Sequence, residues 1–81
     1  MKPRRISWDI MAGIINASEG GVSKSKIVNT MEINFTEANK FIEIGIRKSW
    51  LRRDGGKIFS TEAGKEFAFR VDFINGMWSE E

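Results

Sequence analysis

The sequence predicts an α+β fold, mostly helical, in one domain of 81 residues. Three observations lead there. Apolar residues recur at helical spacing in three successive segments before residue 48. The stretch WLRRDGGKIFST, Trp50 to Thr61, then places Asp-Gly-Gly between two short runs, as a tight β-hairpin requires. A last helical pattern follows Thr61 and runs to about Trp78.

Each element has its own signal. In SWDIMAGIINASE, Ser7 to Glu19, Trp8, Met11 and Ile15 recur at helical spacing, as do Ile10, Ile14 and Ala17. Together they form a wide apolar stripe, with Asp9 suited to the first turn and Gly20-Gly21 as the stop. SKSKIVNTM reads as a short second helix that buries Ile27, Val28 and Met31 and leaves Lys24, Lys26 and Asn29 outside. INFTEA fits a capping box, with Asn34 as N-cap, Glu37 reaching back and Ile33 stapled against Ala38. The third helix therefore starts at Phe35, after a break of only Glu32 to Asn34, and two helices joined so tightly form a helix-turn-helix.

On that third helix, residues 35–48, Ala38, Phe41, Ile42 and Gly45 face inward. Thr36, Lys40, Glu43 and Arg47 share one polar face, with Asn39 beside them. The hairpin pairs Trp50–Arg53 with Lys57–Ser60 and carries Arg52, Arg53 and Lys57 near its tip. Thr61 caps the last helix, residues 61–78. One stripe of it holds Ala63, Phe67, Val71, Ile74 and Trp78, and a second holds Phe69 and Phe73. A helix apolar on two sides needs two partners.

Composition narrows the function. The chain has no Cys and no His, which removes thiol chemistry, ordinary zinc sites and the usual neutral-pH general base. Its carboxylates Asp9, Glu37, Glu43 and Asp54 are scattered over caps, a turn and a helix face, so a non-enzyme without metal or cofactor is expected. No apolar run nears the ~20 residues that span a bilayer, and MKPRR leads into an amphipathic segment, so the expectation is a soluble cytoplasmic protein. The first 60 residues hold 11 Lys/Arg against 6 Asp/Glu, whereas residues 61–81 hold 2 against 5. The basic part is thus the helices and hairpin that precede the last helix. Area scaling for a 9.2 kDa chain leaves only about 60% of its surface buried in a monomer, which favours a partner chain.

The order helix, helix, turn, helix, hairpin, helix is that of winged-helix domains, and specific segments strengthen the likeness. RRISWDIMAGII, EINFTEANKFIEIGIRKSWL and DGGKIFSTEAGKEF resemble, in order and spacing, the opening, recognition segment and wing of small archaeal winged helix-turn-helix DNA-binding proteins. The pattern is departed from at Glu37, where these proteins carry Gln, at Gly45 and Ser60, where they carry Leu, and at Ser49, where they carry the helix-ending Gly. A glycine at position 45 fits if close packing, against Trp50 for instance, uses the space.

The resemblance implies a three-helix core, a hairpin wing and a C-terminal dimerisation helix. It implies double-stranded DNA as partner and a homodimeric, nucleoid-associated transcriptional regulator as function. Thr36, Asn39, Lys40 and Glu43 would then lie nearest base edges, with Asn39 suited to adenine and Glu43 to cytosine, and Arg47 nearer the backbone. Lys24, Ser25 and Lys26 at the start of the second helix, and Arg52, Arg53 and Lys57 on the wing, would meet phosphates. Lys2, Arg4 and Arg5 would form a basic arm, and Phe69, Phe73, Met77 and Trp78 a dimer contact. Other readings stay open: a protein-docking winged helix, an architectural protein that coats DNA, or simply a solvated polar face. No small-molecule ligand is evident in so short a chain.

Overall fold

The computed structural model describes the backbone of residues 7–78 and the side chains of residues 7–76. The elements in chain order are α1 (Ser7–Ala17), α2 (Lys24–Met31), α3 (Phe35–Arg47), β1 (Leu51–Asp54), β2 (Lys57–Ser60) and α4 (Glu62–Trp78). The basic arm of Lys2, Arg4 and Arg5 lies outside the described residues.

The three helices pack around one core. Met11, Ala12, Ile14 and Ile15 of α1 meet Ile27 and Met31 of α2 and Ala38, Phe41 and Ile42 of α3. Leu51 and Ile58 of the hairpin close one side, and Ala68 and Val71 of α4 the other. Removing each of the Ile, Leu, Val, Phe and Met side chains from water contributes roughly 1.5–3 kcal/mol, and each alanine methyl less. Helix α1 ends at Ala17, two residues before the sequence suggests, because Ser18 turns inward instead of continuing. It is fully buried, and its hydroxyl donates back to the Ile14 carbonyl at 2.7 Å. Its own carbonyl accepts the amides of Gly21 and Ser60, so the end of α1 is tied to the hairpin.

The α2–α3 turn follows the expected chemistry. Ser23 caps α2 by accepting from the Lys26 amide at 3.2 Å, and Glu32 ends it with φ +56°. At Asn34 both halves of the capping box form: the Glu37 amide donates to Asn34 Oδ1 at 2.7 Å, and the Asn34 amide donates to Glu37 Oε1 at 3.4 Å. Glu37 is therefore occupied by its own helix end.

Strand β1 begins one residue later than expected and includes Asp54, which pairs with Lys57 across a two-residue turn. Gly55 and Gly56 both have positive φ, +59° and +81°, the condition of a type I′ hairpin. Beyond the hairpin, Val22 in the α1–α2 loop exchanges both backbone hydrogen bonds with Ile58, at 3.0 and 2.7 Å. This bridge ties β2, one residue from the tip pair Asp54–Lys57, to the loop that leads into α2.

Three packing expectations are corrected. The space at Gly45 is filled by Leu51, whose Cδ1 would lie 2.5 Å from an added Cβ, while Trp50 contributes its amide to the Gly45 carbonyl at 2.8 Å. The Trp50 ring stacks instead on Phe67, with centroids 4.0 Å apart. On α4, Ala63 and Ile74 are exposed, and the buried line is Gly64, Ala68 and Val71 with Phe67 half-buried. Gly64 sits against the Trp50 carbonyl so closely that a Cβ there would overlap it. Trp8, expected in the α1 stripe, is 54% exposed. Ser60, standing where related proteins place Leu, is half-buried with a hydroxyl oxygen that is shielded from solvent and has no hydrogen-bond partner among the described residues.

Candidate nucleic-acid interface

The uncovered side of α3 is built by what covers the other. Ala38, Phe41, Ile42 and Gly45 are all buried, which turns Thr36, Asn39, Lys40, Glu43 and Arg47 outward, and all five are exposed. In the first turn, one oxygen of the exposed Glu37 carboxylate is engaged by the capping box, beside the exposed Thr36.

At the start of α2, Ser25 and Lys26 are exposed and Lys24 is half-buried. The wing is arranged by strand alternation. Leu51 and Ile58 face the core, so Arg53, level with Ile58, shares their side and reaches toward α3, where its Nη2 lies 3.5 Å from Glu43 Oε2. Arg52, on the opposite face, has its guanidinium 4.6 Å from the ring of its cross-strand partner Phe59, and its Nη1 lies 3.5 Å from Asp54 Oδ2.

The expectation that the wing cations have nothing else to meet is thereby corrected. Arg52 and Arg53 are each paired with a carboxylate, whereas Lys24, Lys26, Lys40, Arg47 and Lys57 have no ion pair among the described residues. The signal for the Glu43–Arg53 contact lay in the hairpin register, since alternation from Leu51 puts Arg53 on the helix side. Sequence reading also passed over Lys48, which caps the end of α3 with its ammonium 6.0 Å from the Trp50 ring.

Three helices, a tight α2–α3 turn, an outward polar face on α3 and a basic hairpin that touches that face through Arg53 and Glu43 make up the arrangement. The family model described as winged helix-turn-helix matches residues 4–77, nearly the whole chain. The chain belongs to the winged helix-turn-helix family. No curated protein matches it. Winged helix-turn-helix domains are typically DNA-binding and non-enzymatic, and the β1–β2 hairpin is the wing of this one.

The rest of the winged-helix surface offers little chemistry. No group of three or more His, Cys, Asp or Glu among the described residues is placed to hold a metal ion, and no described helix is long and apolar enough to cross a membrane. Beside the Trp50–Phe67 stack runs a groove of about 270 Å³ lined by Trp8, Met11, Phe41 and Ile44, below the ~300–1,000 Å³ of ordinary ligand sites. On α4, Phe69 and Phe73 are 69% and 62% exposed, as the second stripe requires. The side chains of Met77 and Trp78, also expected at a dimer contact, lie outside the described residues.

Proposed function

We propose that this winged helix-turn-helix protein is a sequence-specific transcriptional regulator that binds double-stranded DNA as a homodimer. Helix α3 enters the major groove, with Thr36, Asn39, Lys40 and Glu43 toward base edges and Arg47 toward the backbone. Lys24, Ser25, Lys26 and the wing residues Arg52, Arg53 and Lys57 meet phosphates. The dimer forms through α4, around Phe69, Phe73, Met77 and Trp78. Such a regulator works in the cytoplasm on the nucleoid, needs no cofactor and carries out no reaction, in keeping with the small archaeal proteins its segments resemble.

One observation carries the reading: the polar face of α3 is left uncovered by its own domain while unpaired cations flank it on α2 and the wing. Two apolar faces on α4, of which α1 covers one, support the homodimer. The test is fluorescence anisotropy with a labelled duplex from upstream of the protein's own gene and a scrambled duplex, at several salt concentrations. The expected result is a steep loss of affinity with salt and at least about tenfold preference for the upstream duplex, worth about 1.4 kcal/mol. Equal binding of both points to an architectural coat. Absence of binding at about 50 mM salt points to a protein-docking module.

A further inference from the structure

The wing arginines, like Arg47 on α3, are stronger phosphate ligands than the lysines of the surface, because a guanidinium donates two parallel bonds where an ammonium is a point charge. Among the described residues of the α2, α3 and wing surface they are also the cations that face carboxylates. Glu43 comes from α3 and takes Arg53; Asp54 comes from the wing itself and takes Arg52. All four side chains are 50–69% exposed. Exposed pairs of this kind contribute about 0–1 kcal/mol to folding, so stability is a weak reason for them. Their place at the edge of the DNA-facing surface suggests a different role.

We propose that Glu43 and Asp54 are specificity-determining residues that keep the wing arginines in reserve. The inference rests on the DNA-binding reading above and reassigns Glu43 from a base contact to the control of Arg53. A carboxylate offers a guanidinium the same kind of charge-assisted bond as a phosphate. While Glu43 competes for it, Arg53 adds less to a loosely held, sequence-independent complex than an unpaired arginine would. It transfers to the backbone only when α3 is fully seated and a phosphate comes close enough to displace the carboxylate. The unpaired cations Lys24, Lys26, Lys40, Arg47 and Lys57 supply the indiscriminate attraction, and Arg52 and Arg53 are added to the matched complex. The pair also joins α3 to β1.

The test uses the full chain and a labelled duplex of mixed sequence, and reads the dependence of the binding constant on salt. Each additional phosphate neutralised steepens the slope of log K against log[salt] by about 0.9. Glu43→Gln keeps the shape and helix-forming character of the side chain, and a melting curve checks that it folds. It should steepen the slope by about that amount, so that affinity falls about 3.5-fold further between 50 and 200 mM salt than in the unaltered protein. Asp54→Asn, which keeps a turn-forming residue before Gly55, should add a second increment.

The decisive comparison is made in an Arg53→Gln background, where Glu43→Gln should leave the slope unchanged. An unchanged slope in the single variant overturns the proposal. So does an equal gain in both backgrounds, which would make Glu43 a plain repulsive charge. Absence of binding by the unaltered protein at about 50 mM salt overturns the DNA-binding reading itself, a different outcome from binding with an unaltered slope.

Discussion

Ser49 is held at φ +65°, in the left-handed region, at the end of α3 where a glycine would be at ease. A side chain there costs roughly 1–2 kcal/mol, partly offset because glycine gains more freedom on unfolding. Ser49→Gly should therefore stabilise the protein by about 0.5–1 kcal/mol, seen as a higher urea midpoint with an unchanged slope. The contact that matters at this position uses backbone: the Ser49 carbonyl accepts the Thr61 hydroxyl at 2.5 Å, and glycine keeps it. Local chemistry of this sort was legible in the sequence. The Asn34–Glu37 box and the double glycine of the hairpin depend on residues within a few positions of each other, and both formed as expected. The pairing of Glu43 with Arg53 was not read, because it needs the hairpin folded back onto α3.

At the scale of elements, α4 shows why a hydrophobic pattern finds a helix but misplaces its buried face. Periodicity gives weight to Ala63 and Ile74, which are exposed, and none to Gly64. Yet Gly64 is the residue that lets α4 come close to the Trp50 carbonyl, and the absence of a side chain leaves no hydropathy to detect. Gly→Ala in a helix interior ordinarily stabilises by up to about 1 kcal/mol. At Gly64 the sign should reverse, because the new methyl would meet the Trp50 carbonyl, a backbone group fixed by the Thr61 amide at 3.0 Å. Gly64→Ala should cost about 1–3 kcal/mol and lower the melting temperature, while loosening the Trp50–Phe67 stack enough to change tryptophan fluorescence. An unchanged melting temperature would show that α4 can slide away from the turn. The α3 helix, by contrast, was legible to within one residue of its end, since Phe41 and Ile42 mark its buried face and polar or charged residues its outer face.

For the whole molecule, the question is what meets the second apolar face of α4. On the homodimer reading, Phe73→Glu places a charge at the contact and should give a protein that sediments as a monomer. Its DNA affinity should fall by more than twofold, because two recognition helices bound together read half-sites about one helical turn apart. An unchanged sedimentation coefficient would remove α4 from the interface.

The exchange of hydrogen bonds between Val22 and Ile58 bears on the duplex as well as on the protein. Ser23, which caps α2, is the next residue after Val22, and Lys57, at the wing tip, is the next before Ile58. The bridge therefore acts as the pivot of a caliper with fixed jaws, the basic start of α2 on one side and the wing on the other. On the DNA reading, a caliper that does not open leaves the adjustment to the nucleic acid, so sequences whose grooves deform easily to that gap are favoured even at base pairs no side chain touches.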